Sequence, residues 1–197
     1  MIKNITFVSA VVAMLVSSTM PSYAIGPAGL AARHDKQVTR IKASQPTLAP
    51  LGFVNYCVKN SDDCRPSQGP DVVPLTYAKL RELRQVNFQI NRAIAPMNDS
   101  EGTDEWRADA ASGDCEDYAL AKRRALIRKG WPANSIRLAV TYTPDNIGHA
   151  VLVVRTTGGD MVLDNRTNSV LEWQQTDLRW VMIQSGSNPL YWNHVSA

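Results

Sequence analysis

Between Thr76 and Ile94 the apolar positions Leu80, Leu83, Val86, Ile90 and Ile94 recur at steps of three and four, with Asn87 sharing the stripe. That spacing predicts an amphipathic helix. Pro70 and Pro74 bracket the turn that enters it, and Pro96, Asn98, Asp99 and Gly102 end it. A second helix is predicted after Gly113. Tyr118, Leu120, Ala121, Ala125, Leu126 and Ile127 form its packing face, Gly130 stands at the C′ position and Pro132 lies just beyond. The period then shortens. Residues 136–142, 149–155 and 161–164 are rich in β-branched residues and separated by turn residues, including Gly158-Gly159. Residues 169–173 and 180–184 add two further candidate strands. Helices followed by an antiparallel meander predict an α+β fold.

The N-terminus carries a different apolar pattern. Lys3 precedes the run Ile5 to Val16, and Ser22-Tyr23-Ala24 places small residues at the −3 and −1 positions of a cleavage site. The run is too short for a membrane span of roughly 18 residues, so residues 1–24 read as a secretory signal peptide. The expected location is periplasmic or secreted, and no later stretch predicts membrane insertion of the mature chain. Residues 25–70 read as an N-terminal lead-in that holds the Cys57–Cys64 loop, its stretch 25–50 poorly ordered or surface-wrapped, and 71–197 as the folded domain.

Charge adds little. The net charge of +3 falls to about +2 once Lys3 leaves with the signal, which gives no reason to invoke nucleic acid. The run Lys122-Arg123-Arg124, with Arg128 and Lys129, reads as a solvated face and cation-rich end of the second helix.

Cysteine usage changes the picture more. Cys57 and Cys64 flank a short polar loop, and an exported chain meets an oxidising environment. A local Cys57–Cys64 disulfide is the economical pairing, with other pairings left open. Cys115 is then an unpaired thiol, either inert in the core or kept for chemistry.

Cys115 opens the second helix, where the field of the helix N-terminus favours thiolate over thiol. His149 begins a strand, and a His beside a thiolate serves as its cationic partner and as proton donor to a leaving amine. Asp164 closes the next strand, and a carboxylate on the far ring nitrogen fixes the tautomer of such a His. A hairpin turning at Thr156-Thr157 would set His149 opposite Asp164. One turning at Gly158-Gly159 would set Asp164 opposite Val153. In both, parity keeps the two side chains on one face. His34 and His194 lie in the lead-in and near the C-terminus, away from this arrangement.

The segments Gly113-Asp114-Cys115-Glu116-Asp117-Tyr118-Ala119, Gly148-His149-Ala150-Val151-Leu152 and Val162-Leu163-Asp164-Asn165 resemble the Cys, His and Asp motifs of the bacterial transglutaminase-like cysteine peptidases, relatives of the LapG periplasmic proteases. The resemblance spans roughly residues 74–184, which makes 71–197 the peptidase domain. It implies a papain-like, transglutaminase-like fold in which a Cys-bearing helix packs on an antiparallel sheet carrying His149 and Asp164. It also implies an endopeptidase acting on an exported or surface-anchored protein through a thioester, and by analogy a membrane-bound regulator.

Acids crowd the nucleophile. Asp114, Glu116 and Asp117 would raise the pKa of Cys115 by like-charge repulsion, opposing the helix field. Bound Ca²⁺ would neutralise them. LapG-type proteases are similar in binding calcium through acids beside the Cys, which maps that role onto Asp114 and Glu116, with Asp117 as a third. The alternative is that Asp114 caps the helix and the other two favour its dipole. No organic cofactor is expected. Transglutaminase or amidase-type acyl transfer by the same triad, and a non-catalytic binding module on this fold, stand as alternative functions. Trp106 reads either as a wall of the site or as core.

Overall fold

The computed structural model describes residues 39–196; the expected signal peptide at 1–24, the first part of the lead-in and His34 lie outside the described residues. The chain runs through β1 (Ala43–Thr47), α1 (Leu51–Lys59), α2 (Tyr77–Ala93), β2 (Ala95–Pro96), β3 (Ser112–Gly113) and α3 (Cys115–Arg128). The strands β4 (Ile136–Tyr142), β5 (Gly148–Thr156), β6 (Gly159–Leu163), β7 (Val170–Glu172), β8 (Arg179–Gln184) and β9 (Trp192–Val195) follow. Seven strands form one antiparallel sheet in the order β1-β9-β8-β4-β5-β6-β7, while β2 and β3 form a short parallel pair. This is the expected α+β, transglutaminase-like arrangement of helices and an antiparallel sheet.

Local signals place the two long helices. The Thr76 side chain caps α2 by accepting from the Lys79 N–H. Gly130, at φ 80°, ends α3 in the left-handed region that glycine enters without strain. Leu83 and Val86 of α2 and Leu120 and Leu126 of α3 meet Leu138, Leu152, Val154 and Leu163 of the sheet in one core. The alternate residues Ala139, Val151, Val153, Val162 and Ile183 build a second, smaller core on the opposite face with Ile41 and Leu178. The central strands are therefore buried on both sides, which is why they read as nearly continuous apolar runs.

The segment read as lead-in carries structure from residue 43 onward. β1 pairs with β9, and Phe53 and Tyr56 of α1 enter the helix-side core, where Phe53 packs edge-on against Trp106 and Trp192. The described residues fall within one compact unit, Gln37–Ala197, which runs through the boundary expected at residue 71. Pro46 and Pro50 interrupt any periodic pattern here, and short elements completed by distant partners leave no local signal.

The basic run corrects the expectation of a solvated face. Lys122 and Arg123 are buried, and Arg124 bonds Asp63 at 2.8 Å. Lys122 lies in the field of Asp164 and Arg123 in that of Asp63 and Tyr56, so neighbouring elements cover them, and their stems count as apolar surface. Trp106 is core, with its indole N–H bonded to Asp104 at 2.8 Å. Among the described residues, no helix is long and apolar enough to cross a membrane.

Cys57 and Cys64 form a disulfide that ties the end of α1 to the following turn. Closing so short a loop stabilises the fold by about 2–3 kcal/mol in the chain-entropy picture. The Cys57→Ser/Cys64→Ser double variant should lose unfolding free energy by that amount, read as a lower urea midpoint. An unchanged midpoint would mean the bridge contributes no stability.

Candidate active site

The approach to Cys115 is built by a close contact. A Cβ at Gly113 would collide with the Asp117 carboxylate, so the chain can fold back over α3 only with glycine there. Asp117 is fully buried and accepts from the Arg107 N–H at 2.7 Å and from its Nη2 at 3.1 Å. Its oxygens therefore pin the preceding loop, and Asp117 is spent on Arg107 instead of joining the acids beside Cys115. Asp114 stands at the N-cap position, yet its side chain makes no cap hydrogen bond, and its Oδ1 is buried without a partner. The capping reading of Asp114 does not hold.

The third acid comes from elsewhere. Asp99, in the loop after β2, joins Asp114 and Glu116 with one carboxylate oxygen from each lying within 4.8 Å of the others. Three converging carboxylates, one with an orphaned buried oxygen, fit a hard divalent cation. Sequence reading missed Asp99 because it sits 15 residues before Asp114 in a loop, where an acid carries no periodic signal.

Cys115 is free and half-buried at the start of α3. Its thiol donates to Glu116 Oε2 at 3.0 Å. Burial, the Glu116 carboxylate and Asp114 together push the thiol well above its ordinary pKa, while the backbone N–H of Ala150 pulls the other way. The acids and burial thus outweigh the helix field. Burial and Asp114 likewise raise Glu116 to about 8, against its hydrogen bond with the thiol.

His149 and Asp164 meet. Nε2 of His149 lies 2.9 Å from Asp164 Oδ1, and both residues are buried. The hairpin takes neither register expected from the sequence. Thr156 pairs Gly159 across a two-residue turn at Thr157-Gly158, which sets Asp164 opposite Val151 by count, and pairing stops at Leu163. Parity still holds the two residues on one side, and Asp164 closes the gap by leaving the strand. Its carboxylate accepts from the Arg166 N–H at 2.9 Å and from Arg166 Nε at 3.0 Å, an Asx-type turn that re-aims the side chain. Burial works against its charge, but His149 and Arg166 hold Asp164 down to about 2. Arg166, itself bonded to Asp177 at 2.6 Å, was missed in the sequence although it lies two residues after the acid.

A family comparison bears on this arrangement. Residues 43–197 match the family of bacterial transglutaminase-like cysteine proteinases. The chain belongs to that family. Among solved structures it is similar to the calcium-bound LapG of Legionella pneumophila, at 26% identity and a TM-score of 0.47, over 52% of this chain and 63% of that one. A second LapG structure from Legionella pneumophila is similar at 25% identity and 0.47, covering 52% and 62%, and an EGTA-treated one at 24% and 0.46, covering 52% and 61%. The matched region thus spans less than two thirds of each LapG chain. No curated protein matches.

The family's Cys-bearing helix has one more charged resident. Lys122 lies two turns below Cys115 on the same face of α3 and is fully buried, with Nζ 5.8 Å from the Tyr118 ring centre. Burial draws its ammonium down to about 7, and the charge of Asp164 is the opposing pull. Asn91 completes the surroundings of Asp164 from α2, donating to the Asp164 carbonyl at 3.1 Å and to that of Thr167 at 3.0 Å.

The sign of the Asp164 shift sets a test. A carboxyl whose folded pKa is depressed stabilises the fold above its unfolded pKa, and loses that contribution as pH falls through the folded value. The stability gap between wild type and Asp164→Asn should shrink by about 1 kcal/mol from pH 5 to pH 3. Urea unfolding at both pH values measures it, and a gap independent of pH would contradict the ionised pair.

Proposed function

We propose that the protein is an exported cysteine endopeptidase, acting in the periplasm or outside the cell, that cleaves a peptide bond in an exported or surface-anchored protein. Cys115 is its nucleophile, His149 its acid–base and Asp164 the residue that orients His149. The observation that carries this reading is the buried His149–Asp164 pair on a strand whose next residue, Ala150, directs its N–H at the Cys115 sulfur.

With Nε2 held by Asp164, Nδ1 of His149 is the ring nitrogen free to take the thiol proton. The sulfur then attacks the scissile carbonyl carbon, forming a tetrahedral oxyanion. His149 gives the proton to the leaving amine as the C–N bond breaks, which leaves a thioester on Cys115. Water, deprotonated by His149, attacks the thioester, releasing the acid and restoring the thiol. The backbone N–H of Cys115, at the start of α3, is the natural oxyanion donor.

Asp99, Asp114 and Glu116 would hold a calcium ion. When bound, it would supply positive charge beside the thiol and so favour its ionisation. The orphaned Asp114 oxygen supports this reading. The family resemblance supplies the expectation of a membrane-bound regulator.

Three measurements test the proposal. Cys115→Ala should lower cleavage of an exported-protein panel by about 10³-fold or more, and activity retained by that variant would refute the nucleophile. EGTA-treated wild type should react slowly with iodoacetamide at pH 7 and faster on adding Ca²⁺, whereas Glu116→Gln should raise the metal-free rate. Labelling indifferent to Ca²⁺ would remove the metal from the reading. Export predicts a mature chain beginning at Ile25, and N-terminal sequencing of secreted protein that returned Met1 would contradict it.

A further inference from the structure

Arg137 is the second residue of β4. Its neighbours Ile136 and Leu138 enter the helix-side core, so Arg137 projects to the opposite face, beside Ala139. It is only 8% exposed, and its Nε is buried without a hydrogen-bond partner. Among the described residues its guanidinium makes no hydrogen bond or ion pair. A buried guanidinium in that state is costly, since it has given up water without gaining an acceptor.

The acids nearby do not complete it. Asp160 is already occupied, accepting from Arg155 Nε at 3.1 Å and from the Ile41 N–H at 2.8 Å. Asp71 is exposed at the edge of the same cavity and forms no ion pair with Arg137 within 4.0 Å. Burial and the Arg155 charge draw the guanidinium down to about 10, against the pull of Asp160 and Asp71.

A cavity of about 380 Å³ opens onto Arg137, lined also by Asp71, Asn134, Ser185, Ser187 and Asn193. The loop after β8 forms one wall. A Cβ at Gly186 would stand 2.9 Å from Arg137 Nη2 and 3.1 Å from Nε, and would collide with the Asn134 carbonyl. Only glycine lets this loop lie so close to the guanidinium.

The hydrogen-bonding inventory of the wall leans to donors, the exposed Asp71 carboxylate at its edge being the charged acceptor. Asn134 is spent on Gly69 and Ser67, and Gln184 on Leu138 and Pro189. The Ser185 and Ser187 hydroxyls bond each other at 3.1 Å, which uses one proton and leaves one. The Asn193 amide makes no hydrogen bond among the described residues. What remains is a guanidinium, a hydroxyl proton and an amide, which are donors arranged for oxygen acceptors.

We propose that this cavity is an oxyanion-binding site that takes a carboxylate or phosphate group on Arg137. The planar fork of arginine suits either group, and Asn193 with the serine pair would hold the remaining oxygens. The site lies away from Cys115. Arg137 pairs Val153 while His149 pairs Thr141, four residues further along the same two strands, and Arg137 faces away from the helices.

Calorimetry and thermal unfolding of the full chain in chloride buffer, with sodium succinate, sodium acetate or inorganic phosphate added at constant ionic strength, test the site. A saturable heat and a rise in Tm with at least one anion are expected, and the succinate and phosphate arms separate carboxylate from phosphate chemistry. Arg137→Gln should abolish both signals. Asp71→Asn, an exposed change that removes the competing carboxylate, should lower Kd several-fold. Gly186→Ala, which forces a methyl against the guanidinium, should weaken binding and serves in place of Arg137→Gln if that variant does not fold. No saturable heat up to about 20 mM of any of these anions (a Kd above which binding contributes little stability) would overturn the proposal. So would equal binding by Arg137→Gln, or loss of binding in Asp71→Asn.

Discussion

The docking of α3 across β5 is the contact on which the rest of the molecule depends. Leu120 and Leu126 bury against Leu152 and Val154, and that packing brings the first residue of the helix to the first turn of the strand. Cys115 consequently sits by the backbone of Ala150, next to His149, although more than 30 residues of chain separate them. Apolar burial does the positioning, since it is the dominant favourable contribution to folding and is indifferent to the chemistry it aligns. The β4–β5–β6 ladder then fixes the acid. Pairing that ends at Leu163 releases Asp164 to turn toward His149, and the Arg166 main chain holds it there.

Electrostatics around the helix start runs against the packing. A thiol at a helix N-terminus is favoured as thiolate by a fraction of a unit charge, but Glu116 at 3.0 Å and burial both favour the neutral thiol, and they win. The same burial that places Cys115 thus opposes its ionisation. Three carboxylates drawn from two parts of the chain, Asp99, Asp114 and Glu116, converge at this end of the helix. The opposite sign appears two turns deeper, where Lys122 is buried within the field of Asp164. One helix therefore carries an acidic end at the surface of the site and a cation beneath it.

Arg137 extends that logic to the far face of the sheet. Both Lys122 and Arg137 are long cations taken into the protein by strongly packed elements, but they differ in surroundings. Lys122 is enclosed by core and lies in the field of Asp164. Arg137 opens onto a cavity whose unspent groups are mostly donors. The difference is one of access, which backbone topology sets and residue type does not.

Much of the fold was legible because it depends on local rules. The three-four spacing from Leu80 to Ile94, the flanking prolines and Gly130 bounded two helices to within a residue or two. The β-branched runs marked β4 to β6, since a strand buried on both faces has to be apolar along its length. Cys115, His149 and Asp164 could be singled out from chain order alone, because helix starts and strand starts are themselves readable. The sequence was less informative wherever a residue takes its role from a distant partner. Asp117 looked like a third ligand and is instead bonded to Arg107, while Asp99 arrives from a loop. Lys122 and Arg123 looked solvated and are buried, and α1 was invisible until the aromatic cluster of Phe53, Trp106 and Trp192 gave it a partner. By itself the sequence determined periodicity, helix ends and the order of the candidate residues Cys115, His149 and Asp164, which arise between neighbours in the chain. Only the tertiary structure decided which charges face each other and which are shut away from water, because burial and electrostatic pairing depend on distances in space that chain separation does not encode.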